Sequence, residues 1–316
     1  MAPQEPPANG ARAVYTLADL RTWSTSTAGV QPPIRLAVLG DPIAHSASPP
    51  MQNAALAACG LAARYTRLHI RPDELSEALG LLAPAGFIGA NLTLPHKTAA
   101  LPFLTRLDSH AASLGAVNTL RVEADGSLTG FNTDGPGFTQ AVQADLELSI
   151  RGAHVLILGA GGGAGRAVAA QCVRDDCARL LLVNRTFEKA RSLAETLGGR
   201  AASEVSAVPW EKTALAAVLP CVDLVVNTSS LGLKADDPLL LPTDILPPQA
   251  RIFDTVYRRD GTPTPLLAAA WAAGLHAVGG QSLLLRQGAL AFQIWFNQPA
   301  PLAKMRCGLA EPGAYQ

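Results

Sequence analysis

Apolar positions along this chain alternate between two kinds of pattern. One is the short continuous run of strand length closed by glycine, as in "PIRLAVLG" ending at Gly40. The other is the longer stretch with a single apolar face, as in "RPDELSEALGLLAPAG". The first reads as a buried strand and the second as an amphipathic helix. "SPPMQNAALAACG" opens on Ser-Pro and closes on Gly60, a helix with start and stop signals. "ARYTRLHI" alternates and is rich in strand formers, and "FIGANLTL" is a further strand. "KTAALPFL" and "LDSHAASLGA" read as helical, with a break at Pro102. "AVNTLRVEADGSLTGFN" predicts a hairpin that turns at Asp125-Gly126. Strands alternating with helices over residues 34 to about 134 predict a mostly parallel α/β sheet.

The same alternation restarts near Gly152. The strand "AHVLILG" runs into the glycine loop and helix "AGGGAGRAVAAQCV". "RLLLVNR" is the next strand, "TFEKARSLAETLG" the next helix, and "VDLVVNTSS" and "ARIFDTVYR" are two more strands. This is a doubly wound pattern. "SLLLRQGALAFQIWF" reads as one long, mostly apolar helix that follows it. The segment 1–33 is Pro-rich and predicts a mobile tail with a single helical turn near "LADLRTW".

Composition narrows the function. Apolar residues make up 48% and charged residues 16% of the chain. That balance suits packed globular domains, and a length of 316 residues allows two of them. The net charge of +0 leaves no electrostatic footprint for nucleic acid or an anionic membrane, so neither is expected as a partner. No apolar segment reaches membrane-spanning length. The N-terminus lacks the apolar core of a secretory signal. The five cysteines (Cys59, Cys172, Cys177, Cys221 and Cys307) show no CxxC pair and no His/Asp cluster at ligand spacing. No metal is expected, and buried thiols in a reducing, cytoplasmic compartment fit best.

Two groups of residues carry candidate chemistry. In the second half, Gly159, Gly161 and Ala164 satisfy G-x-G-x-x-G/A after a strand and before a helix. That pattern lets backbone approach a pyrophosphate at the positive end of the helix. Gly162, Gly163 and Gly165 make the phasing ambiguous by a residue or two. A strand binding NAD would end in Asp or Glu. This one ends in Asn184, Arg185 and Thr186, with Lys189 one turn on. The guanidinium suits a ribose 2′-phosphate, so NADP is the expected cofactor. The alternative is that these cations are a solvated helix start. In the first half, Ser46, Ser48, Asn91, Thr93, Lys97, Asn118 and Asp134 occupy turns or strand ends. Lys97 is the only Asp, Glu, Lys or Arg between Glu77 and Arg106, so it either points to water or is held for chemistry. Ser48 and Asp134 could equally be helix caps, and Asn118 could close a turn. Together these hydroxyls, amides, one cation and one anion suit a polyhydroxylated carboxylic acid.

At these residues the chain resembles the shikimate dehydrogenases, including their shikimate/quinate branch. The matching stretches are "GDPIAHSASP", "GANLTLPHK", "GAVNTL", "GFNTDGPGF", "GAGGGAGRA", "VNRT", "NTSSLGL", "DTVY" and "LLLRQGALAF". The resemblance implies an α/β substrate domain over 34–135, a doubly wound Rossmann NADP domain over 136–280, and a helical segment over 281–316 that returns to the first domain. It implies reversible NADPH-dependent reduction of 3-dehydroshikimate to shikimate, on the way to aromatic amino acids, by a monomer or homodimer. Ser46 and Ser48 would bind the substrate carboxylate. Asn91, Thr93, Asn118, Asp134 and Gln287 would bind ring hydroxyls, and Lys97 and Asp134 would be the catalytic pair. Asn184, Arg185, Thr186 and Lys189 would face the adenosine phosphate. Asn227, Thr228, Ser229, Tyr257 and Gly280 would line the nicotinamide side. The chain departs from the family pattern in a glycine loop about one residue longer, in Ser282 for a second glycine, and in Leu283 and Leu233 for methionines. A quinate-preferring or dual-specificity enzyme and a non-catalytic NADP-binding homologue are the alternatives. His45 or His96 as the acid–base group is a further one.

Overall fold

The computed structural model describes residues 11–198, 203–234, 236–243, 245–258 and 261–310. It divides the chain into two units, one formed by residues 1–133 with 287–316 and the other by residues 134–286.

In chain order the first unit holds β1 (Tyr15–Thr16), α1 (Leu17–Arg21), α2 (Trp23–Ser26), β2 (Ile34–Gly40), α3 (Ser48–Ala58), β3 (Arg64–His69), α4 (Leu75–Leu82), β4 (Gly89–Leu92), α5 (His96–Ala99), β5 (Arg106–Leu107), α6 (Ser109–Leu114), β6 (Thr119–Val122) and β7 (Leu128–Phe131). They form a seven-stranded sheet in the order β1-β3-β2-β4-β6-β7-β5. β6 is antiparallel to both of its neighbours and the other pairings are parallel. The expected hairpin is β6–β7, with Gly126 at φ +81° in its turn. "ARYTRLHI", expected to alternate, is buried through its middle as β3, because both faces of the sheet are covered.

The expected tail over residues 1–33 does not hold from residue 11 onward; residues 1–10 lie outside the described residues. β1 pairs with β3, and Tyr15, Leu17, Leu20, Trp23 and Val30 enter the core with Leu68, Leu79 and Phe87. The Trp23 ring lies 5.1 Å from those of both Tyr15 and Phe87. Proline content suggested mobility, but apolar residues spaced along the segment give it a face to bury.

The second unit holds α7 (Asp134–Asp145), β8 (His154–Leu158), α8 (Gly163–Arg174), β9 (Arg179–Val183), α9 (Phe187–Gly198), β10 (Glu204–Val208), α10 (Lys212–Val218), β11 (Leu224–Asn227), β12 (Arg251–Asp254), α11 (Pro265–Ala272) and β13 (His276–Val278). Its six strands are all parallel, in the order β10-β9-β8-β11-β12-β13. Counted within the unit this is 3-2-1-4-5-6, the doubly wound order. Successive residues of β8 enter different cores. Val155 and Ile157 pack with Leu180, Val226 and Phe253, whereas Leu156 and Leu158 pack with Leu181, Val225 and Ile252. A strand buried on both faces has to be apolar throughout, which is why "HVLIL" reads as a continuous run. β10, β13, α10 and α11 have no counterpart in the sequence reading; the two strands are the edges of the sheet, and β10 is only half-buried. The unit begins at Asp134, earlier than the restart near Gly152. Phe138, Ala141, Val142 and Leu146 belong to its core, and the Phe138 ring packs edge-on to Phe253 at 5.3 Å.

α12 (Gln281–Phe296) carries the chain out of the second unit, and from Gln287 it belongs with the first, as does α13 (Leu302–Ala310). A Cβ on Gly288 would collide with Met51 Cε, and one on Gly308 would lie 2.6 Å from the Pro50 carbonyl oxygen. The Pro50 carbonyl is backbone and cannot yield, so only glycine allows the approach of Gly308 to α3. Trp295 Nε1 donates to the Leu120 carbonyl at 2.9 Å.

Cys172 and Cys177 are buried free thiols as expected, but Cys221 and Cys307 are exposed. Among the described residues no helix is long and apolar enough to cross a membrane, and no group of three or more His, Cys, Asp or Glu could hold a metal ion.

His96, at the start of the short helix that carries Lys97, is 0% exposed. Its Nε2 donates to the Ile70 carbonyl at 2.7 Å, while the buried Nδ1 has no partner. Burial lowers its pKa, against the pull of the Ile70 carbonyl and Asp41. A proton on Nδ1 would add a buried charge and an unsatisfied donor. A depressed folded-state value means that the unfolded chain binds the proton more readily, so stability falls as pH drops through the ordinary histidine value of about 6.5. The unfolding midpoint should therefore fall more steeply between about pH 7 and 5 in the parent than in His96→Asn. Parallel pH dependences would disprove this role.

Candidate active site

In the first unit the candidate residues gather at one edge of the sheet because of strand direction. β2, β4 and β7 run the same way, so their C-terminal ends lead into Ser46, Thr93 and Thr133. β6 runs the other way, so the residue just before its N-terminus, Asn118, reaches the same edge. Two loops at this edge are packed together: Asp41 N donates to Leu94 O and Thr93 N to Leu39 O, both at 3.0 Å. A Cβ on Gly40 would lie 2.5 Å from Thr93 Cγ2, so only glycine permits that approach. The Lys97 carbonyl accepts from Val117 N at 2.8 Å, which ties the lysine backbone to the entrance of β6. The lysine itself is half-buried.

Beneath this edge runs a buried amide and hydroxyl network. Asn118 Oδ1 accepts from Thr133 N at 2.8 Å and Thr119 Oγ1 at 3.1 Å. Asn118 Nδ2 donates to Thr133 Oγ1 at 2.9 Å and Gln287 Oε1 at 3.4 Å. Asn91 Nδ2 donates to the Asn118 carbonyl at 3.1 Å and to Thr119 Oγ1 at 3.0 Å, and Tyr65 Oη donates to Asn91 Oδ1 at 2.7 Å. Ser48 is the first residue of α3 and does not cap it, since the N-cap is Ala47 without a side-chain hydrogen bond. The Ser46 hydroxyl oxygen accepts from Ser48 N at 3.3 Å. Arg67, 8% exposed, donates to the Ser46 carbonyl through Nε at 3.0 Å and Nη2 at 2.6 Å, and burial lowers its pKa. Tyr65, Arg67 and Thr119 escaped the sequence reading. The available signal was the alternation in "ARYTRLHI", which puts Tyr65 and Arg67 on one face of β3.

In the second unit the candidates lie at the C-terminal ends of parallel strands, the ligand edge of such sheets. Gly159 follows β8 at φ +83°, and a Cβ there would lie 2.6 Å from Ser229 N. Gly161 N donates to Asn184 Oδ1 at 3.2 Å. The glycine that lets the helix pack on the strand is Gly165, buried, whose Cβ would lie 2.6 Å from Ala160 Cα and the Gly159 carbonyl oxygen. Ala164, which the motif assigned to that role, is exposed. One extra residue in the loop moves the packing glycine one place along. α8 has Gly162 at its N-cap with no side-chain cap, and a Cβ on Gly163 would meet nothing within 4 Å. The first-turn N–H groups thus face an open cradle bare of side chains, which fits a pyrophosphate. Arg185, Thr186 and Lys189 are exposed beyond β9, beside that cradle: a Cβ on Gly161 would lie 2.8 Å from Lys189 Cβ.

After β11 the side chains turn inward. Asn227, 0% exposed, donates to Asp254 Oδ1 at 2.8 Å and to the Leu231 carbonyl at 3.1 Å, and its Oδ1 accepts from Ser229 N and Oγ. Thr228 Oγ1 donates to the Leu158 carbonyl at 2.8 Å. What these residues offer a ligand is a rigid backbone turn. Asp254, also 0% exposed, accepts in addition from Val256 N at 3.0 Å and Thr264 Oγ1 at 2.5 Å. Burial raises its pKa and these hydrogen bonds oppose the rise. It holds the turns after β11 and β12 together, a role the sequence reading missed. A Cβ on Gly280 would collide with the Thr255 carbonyl oxygen, so glycine is required there, and Tyr257 is half-buried just beyond β12. Lys97 lies in the first unit and Asp134 opens the second.

Comparison with known proteins agrees with this reading. Residues 38–120 match the shikimate dehydrogenase substrate binding domain, residues 140–231 the shikimate / quinate 5-dehydrogenase family, and residues 282–306 the shikimate 5'-dehydrogenase C-terminal domain. The NADP(+) shikimate dehydrogenase of Rubrobacter xylanophilus is 41% identical over 87% of this chain and 95% of its own. The Thermus thermophilus shikimate 5-dehydrogenase, solved with NADP(H) and shikimate, superposes with a TM-score of 0.77 at 36% identity, over 88% of this chain and 98% of that one. The ligand-free 5-ketofructose reductase of Gluconobacter sp. strain CHM43 gives 0.79 at 28% identity, over the same shares. Its different substrate shows that the fold alone does not choose the reaction. With relatives this similar over most of its length, the chain belongs to the shikimate dehydrogenase family.

Proposed function

We propose that this chain catalyses the reversible NADPH-dependent reduction of 3-dehydroshikimate to shikimate, in the route to aromatic amino acids. The observation that carries the reading is the polar edge of the first unit, where hydroxyls and amides of Ser46, Ser48, Asn91, Thr93, Asn118 and Gln287 accompany the half-buried Lys97. Ser46 and Ser48 bind the substrate carboxylate. Asn91, Thr93, Asn118, Gln287 and Asp134 bind the ring hydroxyls. The cradle from Gly159 to Ala164, backed by Gly165, holds the pyrophosphate. Asn184, Arg185, Thr186 and Lys189 surround the 2′-phosphate. The turns at Asn227–Ser229, Tyr257 and Gly280 bound the nicotinamide side. NADPH, when bound, supplies the hydride.

As the ketone is reduced, its oxygen gains negative charge and needs a proton. Lys97 Nζ donates it, and in the oxidation direction the neutral amine takes the proton from the alcohol. Asp134 orients the ammonium and the reacting hydroxyl. The enzyme acts in the cytoplasm as a monomer or homodimer, the first unit serving the substrate and the second NADP. A second reading, dual use of quinate, follows from the shikimate / quinate description of the matched family. Quinate oxidation with NADP within about threefold of the shikimate rate would establish it, and a ratio beyond about 100-fold would exclude it, since an added hydroxyl that a pocket does not accommodate is rejected by about that factor.

Lys97→Ala should lower kcat for shikimate oxidation by ~100-fold or more with little change in the unfolding midpoint. A loss under about threefold would remove Lys97 from the mechanism. Arg185→Asp should raise KM for NADP by ~10-fold or more while leaving KM for NAD less affected, because the guanidinium's paired bonds go to the phosphate that NAD lacks. Equal effects on both nucleotides would place the phosphate elsewhere.

A further inference from the structure

Asn91 can be accounted for group by group. Both N–H bonds of its amide are taken, by the Asn118 carbonyl at 3.1 Å and Thr119 Oγ1 at 3.0 Å. One lone pair of its oxygen is taken by the Tyr65 hydroxyl at 2.7 Å. An amide has two donors and two acceptor sites, so one acceptor site on Oδ1 remains. In this setting Asn91 can accept a hydrogen bond from a ligand but cannot donate one.

The Asn118 carbonyl, which can only accept, fixes that choice: a flipped amide would set its oxygen against that carbonyl, leaving two acceptors facing each other. With Oδ1 so placed, the Tyr65 hydroxyl donates to it and anchors it. Tyr65 is itself immobilised. It is 1% exposed, its backbone N–H donates to Asn53 Oδ1 at 2.8 Å, its carbonyl accepts from Asn53 Nδ2 at 3.0 Å, and its ring lies 6.1 Å from that of Trp295. Burial pushes the pKa of the phenol well up, and the nearby Ser48 opposes that rise.

We propose that Tyr65 is a positioning residue that anchors the oxygen of Asn91, whose own amide bonds make it a pure hydrogen-bond acceptor, so that the site selects a ligand whose ring hydroxyl donates at that point. This rests on the proposed function, in which Asn91 contacts substrate. The group selected is a ring hydroxyl carried by a small carboxylic acid. A ring carbon bearing an ether or a halogen there would leave the remaining Oδ1 site unpaired, a loss comparable to leaving any buried polar group without its partner.

The test is steady-state kinetics of Tyr65→Phe, Asn91→Ala and the double variant, varying shikimate and NADP separately. Tyr65→Phe removes one oxygen and keeps the ring. KM for shikimate should rise ~5- to 10-fold, more than kcat falls, with KM for NADP unmoved. A merely structural defect would lower the unfolding midpoint without singling out one substrate. The double variant should match Asn91→Ala within about twofold, because Tyr65 acts through Asn91. If Asn91→Ala leaves KM for shikimate unchanged, the assignment of the site itself fails. If Asn91→Ala raises it and Tyr65→Phe does not, or if the two effects multiply, the positioning role fails and the site stands. Should Tyr65→Phe not fold, the unmodified enzyme still decides. Shikimate analogues with each non-reacting ring hydroxyl replaced in turn by fluorine, which cannot donate, should include one whose KM rises ~10-fold. Analogues that all bind within about twofold of shikimate would overturn the proposal.

Discussion

The first unit depends on an amide pair, Asn91 and Asn118, buried beneath the edge of its sheet. Asn91 is 6% exposed and Asn118 2%. An amide so placed must find partners for its donors and acceptors. They find them in one another and in Thr119, Thr133 and Tyr65. Such a network is worth having only if it is satisfied throughout, and then it is rigid. Its rigidity carries outward. Asn118 O accepts from Leu92 N at 2.9 Å and Asn118 N donates to Phe131 O at 3.0 Å, so side chain and backbone of one residue join three strands. The loops of Ser46, Thr93 and Lys97 are built on the same sheet, and the positions of their polar groups follow from it.

The second unit meets the opposite demand. Its ligand edge is made by removing side chains and drawing backbones together. Gly159 touches the turn after β11, Gly165 touches the turn before α8, and Gly280 touches the carbonyl after β12. The buried Asp254 then links the turns after β11 and β12 through Asn227 and Val256, and reaches the N-cap of α11 through Thr264. The hydrogen bonds that meet that carboxylate come from neutral donors, which offset only part of the cost of burying its charge, and its pKa is raised accordingly. One unit thus presents fixed polar groups and the other a bare, shaped backbone. An acid with many hydroxyls suits the first, and a dinucleotide phosphate suits the second.

Much of this was legible in residue order. The strands β2, β4, β8, β9, β11 and β12 announced themselves because strands buried on two faces must be apolar through most of their length, and β3 did so through its alternation and its strand formers. The hairpin at Asp125-Gly126 was legible because few residues other than glycine tolerate the positive φ that its turn requires. The segment from Ala11 to Val30 was misread because the prolines on either side of it and its own polar residues hid an apolar face carried by Tyr15, Leu17, Leu20 and Trp23. β10 and β13 were missed because an edge strand need bury only part of its surface.

Residue types and their spacing were enough to say that the chain folds as two α/β assemblies, that a glycine loop opens a dinucleotide cradle, and that a lone lysine stands among hydroxyls and amides. These features are local, set by a period of side chains or by a turn that only certain residues can make. Tertiary structure alone decided that Gly165 rather than Ala164 packs helix on strand, that Asn227 is spent on a turn, and that Tyr65 holds the Asn91 amide. Each of these depends on which atoms lie within about 3 Å once the chain has closed on itself. Hydrogen-bond partners far apart in the chain, as Tyr65 and Asn91 are, leave no mark on local pattern.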